Sequence, residues 1–107
     1  MAERRECQRY IKRHPVVINA GGMAFKGTTV WLSRKGFFVR SQKNFNEGVP
    51  VDITFHLTED SSCTLKGTVR FAKSIELFRQ KNGMGIELTE KNQNYLALIR
   101  SLEQENS

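Results

Sequence analysis

In Val51-Asp52-Ile53-Thr54-Phe55-His56-Leu57 every odd position is apolar and every even one polar, and Cys63-Thr64-Leu65-Lys66-Gly67-Thr68-Val69-Arg70-Phe71 repeats the pattern with Cys63, Leu65, Val69 and Phe71 on one face. Successive side chains of a strand point to opposite faces, so this period of two demands strands with one face buried. Joined across Glu59-Asp60-Ser61-Ser62, the two segments read as an antiparallel hairpin. Val16 to Ala20, Phe25 to Leu32 and Gly36 to Ser41 are also strand-like, separated by Gly21-Gly22 and by Ser33-Arg34-Lys35-Gly36. Met84-Gly85-Ile86-Glu87-Leu88 alternates after the turn signal Lys81-Asn82-Gly83, and Pro15 and Pro50 each sit where a strand could begin. Short strands at roughly ten-residue spacing predict a mainly β fold, a small six- to seven-stranded antiparallel barrel whose closure removes exposed edges.

The period changes only near the C-terminus. Tyr95, Leu98, Ile99 and Leu102 follow helical spacing, which predicts an amphipathic helix from about Lys91 to Glu103 with Thr89 as its N-cap. Its apolar stripe must cover something, either the barrel mouth or a partner protein. With 107 residues the chain supports one core and one domain. The expected division is a flexible basic arm over residues 1–13 and the barrel with its helix over 14–107.

Charge narrows the partners. The formal net charge is +6, and half of it lies on residues 1–13, where Arg4, Arg5, Arg9, Lys12 and Arg13 face only Glu3 and Glu6. Such an arm favours an anionic partner. Mean hydropathy is negative. No apolar run approaches the ~18 residues of a membrane span, and no signal peptide precedes Pro15, so a cytoplasmic address is expected. In that setting Cys7 and Cys63 are expected to be free thiols.

Catalysis finds no foothold. His14 and His56 stand apart from any cysteine or carboxylate pair at metal-ligand spacing, and neither a nucleophile elbow nor a phosphate-cradling loop is present. The chain reads as a binding protein and not an enzyme, with no cofactor and no metal.

Two short stretches carry binding chemistry. Arg4-Arg5-Glu6-Cys7-Gln8-Arg9 spaces guanidiniums so that they can fold over a small polyanion, pairing with phosphate and with the O6/N7 edge of guanine. Trp31-Leu32-Ser33-Arg34-Lys35-Gly36 offers the opposite wall. With Val30 and Leu32 toward the core, alternation sends Trp31 and Ser33 outward, where Ser33 could reach a ligand, and Gly36 would permit the positive φ of a tight turn.

Order and spacing together resemble the PilZ domain family, bacterial receptor modules for cyclic di-GMP. The resemblance rests on Arg5-x-x-x-Arg9-Tyr10, Ser33-x-x-Gly36-Phe37-Phe38-Val39, Gly48-Val49-Pro50-Val51, Gly67-Thr68-Val69-Arg70-Phe71 and Met84-Gly85-Ile86-Glu87-Leu88, in that order over nearly the whole chain. It implies that Arg5 and Arg9 clamp phosphate and guanine with help from Arg4, that Ser33 and Gly36 line the pocket, and that Phe71 packs near a base. It implies cyclic di-GMP as ligand, held between the arm and the outer barrel face, with arm ordering passing the signal to a downstream protein.

One position departs from the family. Its second signature opens with Asp or Asn, and this chain has Trp31, which offers one N–H donor and no acceptor. The lost hydrogen bond costs about 1–3 kcal/mol, and stacking a base on the indole returns about 1–3 kcal/mol. Weakened binding, a shifted ligand preference and a pocket closed by the indole all stay open. The second expectation is therefore a PilZ-like adaptor for motility, pilus or envelope regulation that no longer binds the dinucleotide. A basic barrel stacking single-stranded nucleic acid on Trp31 and Phe38 is the weaker reading, because the basic residues cluster on an arm instead of tracking a groove.

Overall fold

The computed structural model describes residues 8–41, 45–58, 60–73 and 82–105, with the side chains of residues 58, 71–73 and 82 set aside. Among these residues seven strands and one helix follow in the order β1 (Tyr10–Ile11), β2 (Pro15–Ala20), β3 (Met23–Leu32), β4 (Gly36–Ser41), β5 (Pro50–Thr58), β6 (Ser61–Lys73), β7 (Asn82–Leu88) and α1 (Gln93–Glu105). Every pairing is antiparallel, in the order β1-β3-β2-β5-β6-β7-β4, and β4 returns to pair with β3. Six strands thus close a barrel, and β1 is an extra strand lying on β3 beyond the end of β2.

The alternation places the core as expected. Val51, Ile53 and Phe55 on β5 and Cys63, Leu65 and Val69 on β6 face inward, joined by Val16, Ile18, Leu32, Phe37, Val39, Met84 and Ile86. Both prolines open strands. At Gly21-Gly22 the β2–β3 turn has positive φ at both residues, 59° and 81°, the conformation a two-residue hairpin of the primed type requires. Cys63 is a free, buried thiol, and burial pushes its pKa up. Cys7 lies outside the described residues.

The helix seals the barrel mouth. Tyr95, Ile99 and Leu102 are buried in the common core, and the Tyr95 ring meets Phe55 at 5.6 Å and Phe37 at 6.2 Å between centroids. Of the two candidates for the apolar stripe, the barrel mouth is the one observed. The N-cap is Asn92, not Thr89. The Asn92 Oδ1 accepts from the Tyr95 N–H at 3.0 Å, whereas the Thr89 N–H and hydroxyl both donate to the Lys66 carbonyl, prolonging the sheet.

Two further expectations are corrected by pairing. Asn82 and Gly83 belong to β7, opposite Ser41 and Arg40, because the strand begins earlier than its apolar alternation does. Residues 10–12, expected on the basic arm of residues 1–13, are tied to the sheet: Tyr10 pairs with Leu32 and Ile11 with Trp31, and the Lys12 N–H donates to the Val30 carbonyl at 3.1 Å.

Candidate functional site

The site grows from a bulge in β3. Thr29 pairs with Val39 and Trp31 with Phe38, so Val30 is an extra residue that shifts the alternation. Thr29 and Leu32 consequently face the core, and Trp31 faces out, half-buried. The inward Thr29 hydroxyl is shared: it accepts from the His14 N–H at 2.8 Å and donates to the Lys12 carbonyl at 2.7 Å. That buried hydroxyl fastens the incoming chain to β3 and delivers Arg9 to the outer face just ahead of β1.

There the two basic and aromatic stretches meet. The Arg9 guanidinium carbon lies 4.3 Å from the Trp31 ring centroid, and on the neighbouring strand Phe38 stacks with Trp31 at 6.3 Å between centroids and 21° between planes. A cation over an indole face is attracted by the ring quadrupole. The Phe38 ring lies down on β7 over Gly83, where a Cβ would sit 2.7 Å from Phe38 Cε2. Guanidinium, indole and phenyl therefore form a layered stack that runs from the residue ahead of β1 across β3 and β4 to β7. Two residues beyond Phe38, the exposed Arg40 faces the same side, next to Thr28 on β3 and Gly83 on β7, and among the described residues it takes part in no ion pair.

The Ser33–Gly36 loop forms the rim, and α1 holds it. Ser33 does not point outward: β3 ends at Leu32, and the Ser33 hydroxyl folds back, buried, to donate to the Gly36 carbonyl at 3.0 Å. The Ser33 N–H donates to the same carbonyl at 2.8 Å, and the Tyr95 hydroxyl donates to the Ser33 carbonyl at 2.6 Å. Gly36 is needed for space instead of for positive φ, since a Cβ there would fall on the Ile86 carbonyl oxygen. Arg34 is turned to α1, where its Nε and Nη2 grip Glu103 at 2.7–2.9 Å.

Among the residues expected at the site, Arg9 and Trp31 are brought into contact, and Ser33 and Gly36 shape the loop through backbone-directed bonds. Arg4 and Arg5 lie outside the described residues. Phe71 pairs with Gly85 just after a second bulge, and its side chain is not described. Arg40 is an addition to the set, and Phe38, expected beside Trp31 only in the nucleic-acid reading, joins it. Their signal in the sequence was the phase of β4: Phe37 and Val39 point inward, so Phe38 and Arg40 must flank Trp31 outside.

Beside the site, His14 packs 6.1 Å from the Phe55 ring with its Nε2 buried and, among the described residues, without a hydrogen-bond partner. Burial, and secondarily the Lys12 charge, lower its pKa. Among the described residues no group of His, Cys, Asp or Glu could hold a metal, and no helix is long and apolar enough to cross a membrane.

The comparisons with known proteins agree with this architecture. The inhibitor of motility from Bacillus subtilis (MotI/DgrA) is similar over 98% of this chain with TM-score 0.79 at 18% identity, the match taking in 52% of that longer chain. The chain thus spans about half the length of that relative. The PilZ domain of YcgR from Escherichia coli, solved with c-di-GMP, is similar over 97% of this chain and 95% of its own with TM-score 0.74 at 12% identity. The PilZ domain of CeSA from a cellulose-synthesizing bacterium is similar over 94% and 99% with TM-score 0.63 at 18% identity. Among curated protein sequences none matches. At these identities the structural likeness establishes the fold, and the family itself is given by the PilZ domain profile, which matches residues 3–104: the chain belongs to the PilZ domain family.

Proposed function

We propose that the chain is a receptor for cyclic di-GMP, held between the arginines of the N-terminal arm and the outer barrel face around Trp31, Phe38 and Arg40, and that ordering of the arm relays occupancy to a protein partner. PilZ domains bind or adapt and do not catalyse, so the chain is not an enzyme. The observation that carries the reading is Arg9 lying 4.3 Å over Trp31, because it joins the arginine stretch to the loop stretch at one place on the barrel. The ligand offers phosphates for guanidiniums and bases for the aromatic faces, so both kinds of group find a use. The YcgR domain, solved with c-di-GMP, lends the ligand class by analogy.

Isothermal titration with cyclic di-GMP tests the proposal. Saturable heat from the wild type, with affinity at least about tenfold weaker for Arg9→Ala and for Arg5→Ala, is the expected result. No heat at high micromolar ligand would sink it.

A second reading is favoured by the same stack seen differently. Arg9 covers one side of the Trp31 indole and Phe38 stacks beside it, so the place where a base would lie is already filled by the protein. On that reading the barrel is an adaptor that dispenses with the dinucleotide. Binding that appears only on Trp31→Asp would favour it.

A further inference from the structure

The identity of the base, rather than of the phosphates, is where this site departs from what guanine requires. Guanine is told from adenine by O6 and by its N1–H and N2–H₂ donors, and an acceptor, best a carboxylate, is needed to meet those donors. From Cys7 to Asn46 the chain contains not one Asp or Glu, against eight Lys and Arg. That stretch supplies Arg9, just ahead of β1, and the strands β3 and β4 that carry Trp31, Phe38 and Arg40. Among the described residues the nearest carboxylate in register on the outer face is Glu87 on β7, opposite Gly36 and one strand beyond Phe38, and it is paired with Arg70 at 3.4 Å.

The guanidinium does not replace the missing acceptor. Arg9 sits over the face of the indole. A base entering between Arg9 and Trp31 would be gripped through its two faces, and none of Arg9, Trp31, Phe38 and Arg40 offers an acceptor to the donors on a guanine edge. Such stacking is tolerant of base identity because every base has a π-face. Residues 8 and 9 precede β1 and belong to no strand, so lifting Arg9 from the indole would break no strand pairing. Arg40 stands exposed on the same face and can meet a phosphate whatever base is attached.

We propose that Trp31 makes this a base-stacking site with little discrimination between guanine and adenine, so that cyclic di-AMP binds it alongside cyclic di-GMP. The inference rests on the dinucleotide-receptor reading above and adds the ligand range to it. Isothermal titration of the full chain with each dinucleotide decides the matter. The expected result is dissociation constants within tenfold of each other. In Trp31→Asp, where a carboxylate acceptor replaces the stacking face, the preference for cyclic di-GMP should rise at least tenfold, and in Trp31→Phe, which keeps a stacking face, the ratio should hold. A wild-type preference for cyclic di-GMP greater than tenfold overturns the inference and leaves the receptor reading standing. An unchanged ratio in Trp31→Asp overturns it as well, and Trp31→Asn repeats that arm should the Asp variant fail to fold by circular dichroism. Absence of binding by both dinucleotides removes the inference and the receptor reading together.

Discussion

Trp31 and Arg9 illustrate how a single residue can be read correctly in direction and still be misjudged in consequence. Alternation put Trp31 outside, and it is outside, but the bulge at Val30 is what puts it there while keeping Thr29 in the core. Ser33 shows the converse: one step past the strand end, a hydroxyl prefers the nearest carbonyl over the face that periodicity assigns it. The Arg9–Trp31 contact is worth about 0.5–1 kcal/mol at a half-exposed position, enough to bias the arm and too little to lock it. His14 supplies a test of pH. Its pKa is lowered in the fold, chiefly by burial, so the unfolded chain binds the proton first as pH falls. Stability should therefore decline as pH drops below the ordinary histidine value of 6.5 and level off once the lowered value is passed. Thermal melts between neutral and mildly acidic pH should show a smaller fall for His14→Gln than for the wild type, and equal falls would refute this role.

At the scale of elements, the strands were legible wherever alternation ran for several residues, as in β5 and β6. β1 was not, because Tyr10 and Ile11 carry no pattern of their own and become a strand only by pairing with Leu32 and Trp31. The helix was legible by its stripe, and its cap was not, since Thr89 and Asn92 are both accepted cap residues until the sheet claims Thr89. The most informative element pair is α1 with the Ser33–Gly36 loop, which no sequence period could connect. Tyr95 joins them through its hydroxyl, bonded to the Ser33 carbonyl at 2.6 Å and near the Gly36 carbonyl at 3.3 Å. Tyr95→Phe keeps the packing and deletes these bonds, leaving a buried carbonyl short of a donor. It should cost about 1–2 kcal/mol, read as a lower urea midpoint with the slope unchanged. Amide exchange in the loop should quicken at the same time, and an unaltered loop would show that α1 does not hold it.

For the molecule as a whole, the boundary between arm and barrel falls earlier than charge alone suggested. The sheet reaches back to Tyr10, and the Thr29 hydroxyl, fully buried, depends on Lys12 and His14 for both its bonds. Removing residues 1–8 should leave the melting temperature nearly unchanged. Removing residues 1–14 strands that hydroxyl, at a cost of about 1–3 kcal/mol, and each kcal/mol lowers the melting temperature of a domain this size by about 4–8 °C. Equal melting temperatures for the two truncations would place the boundary back at residue 14. The placement of Arg9 also bears on the heat of any binding event. A guanidinium already seated beside its site has surrendered much of its rotamer freedom during folding, so a ligand that recruits it meets a smaller ordering cost but must first outcompete the indole. For a ligand that enters between Arg9 and Trp31, arrival would wait on the guanidinium lifting from the indole, a step that would slow the on-rate.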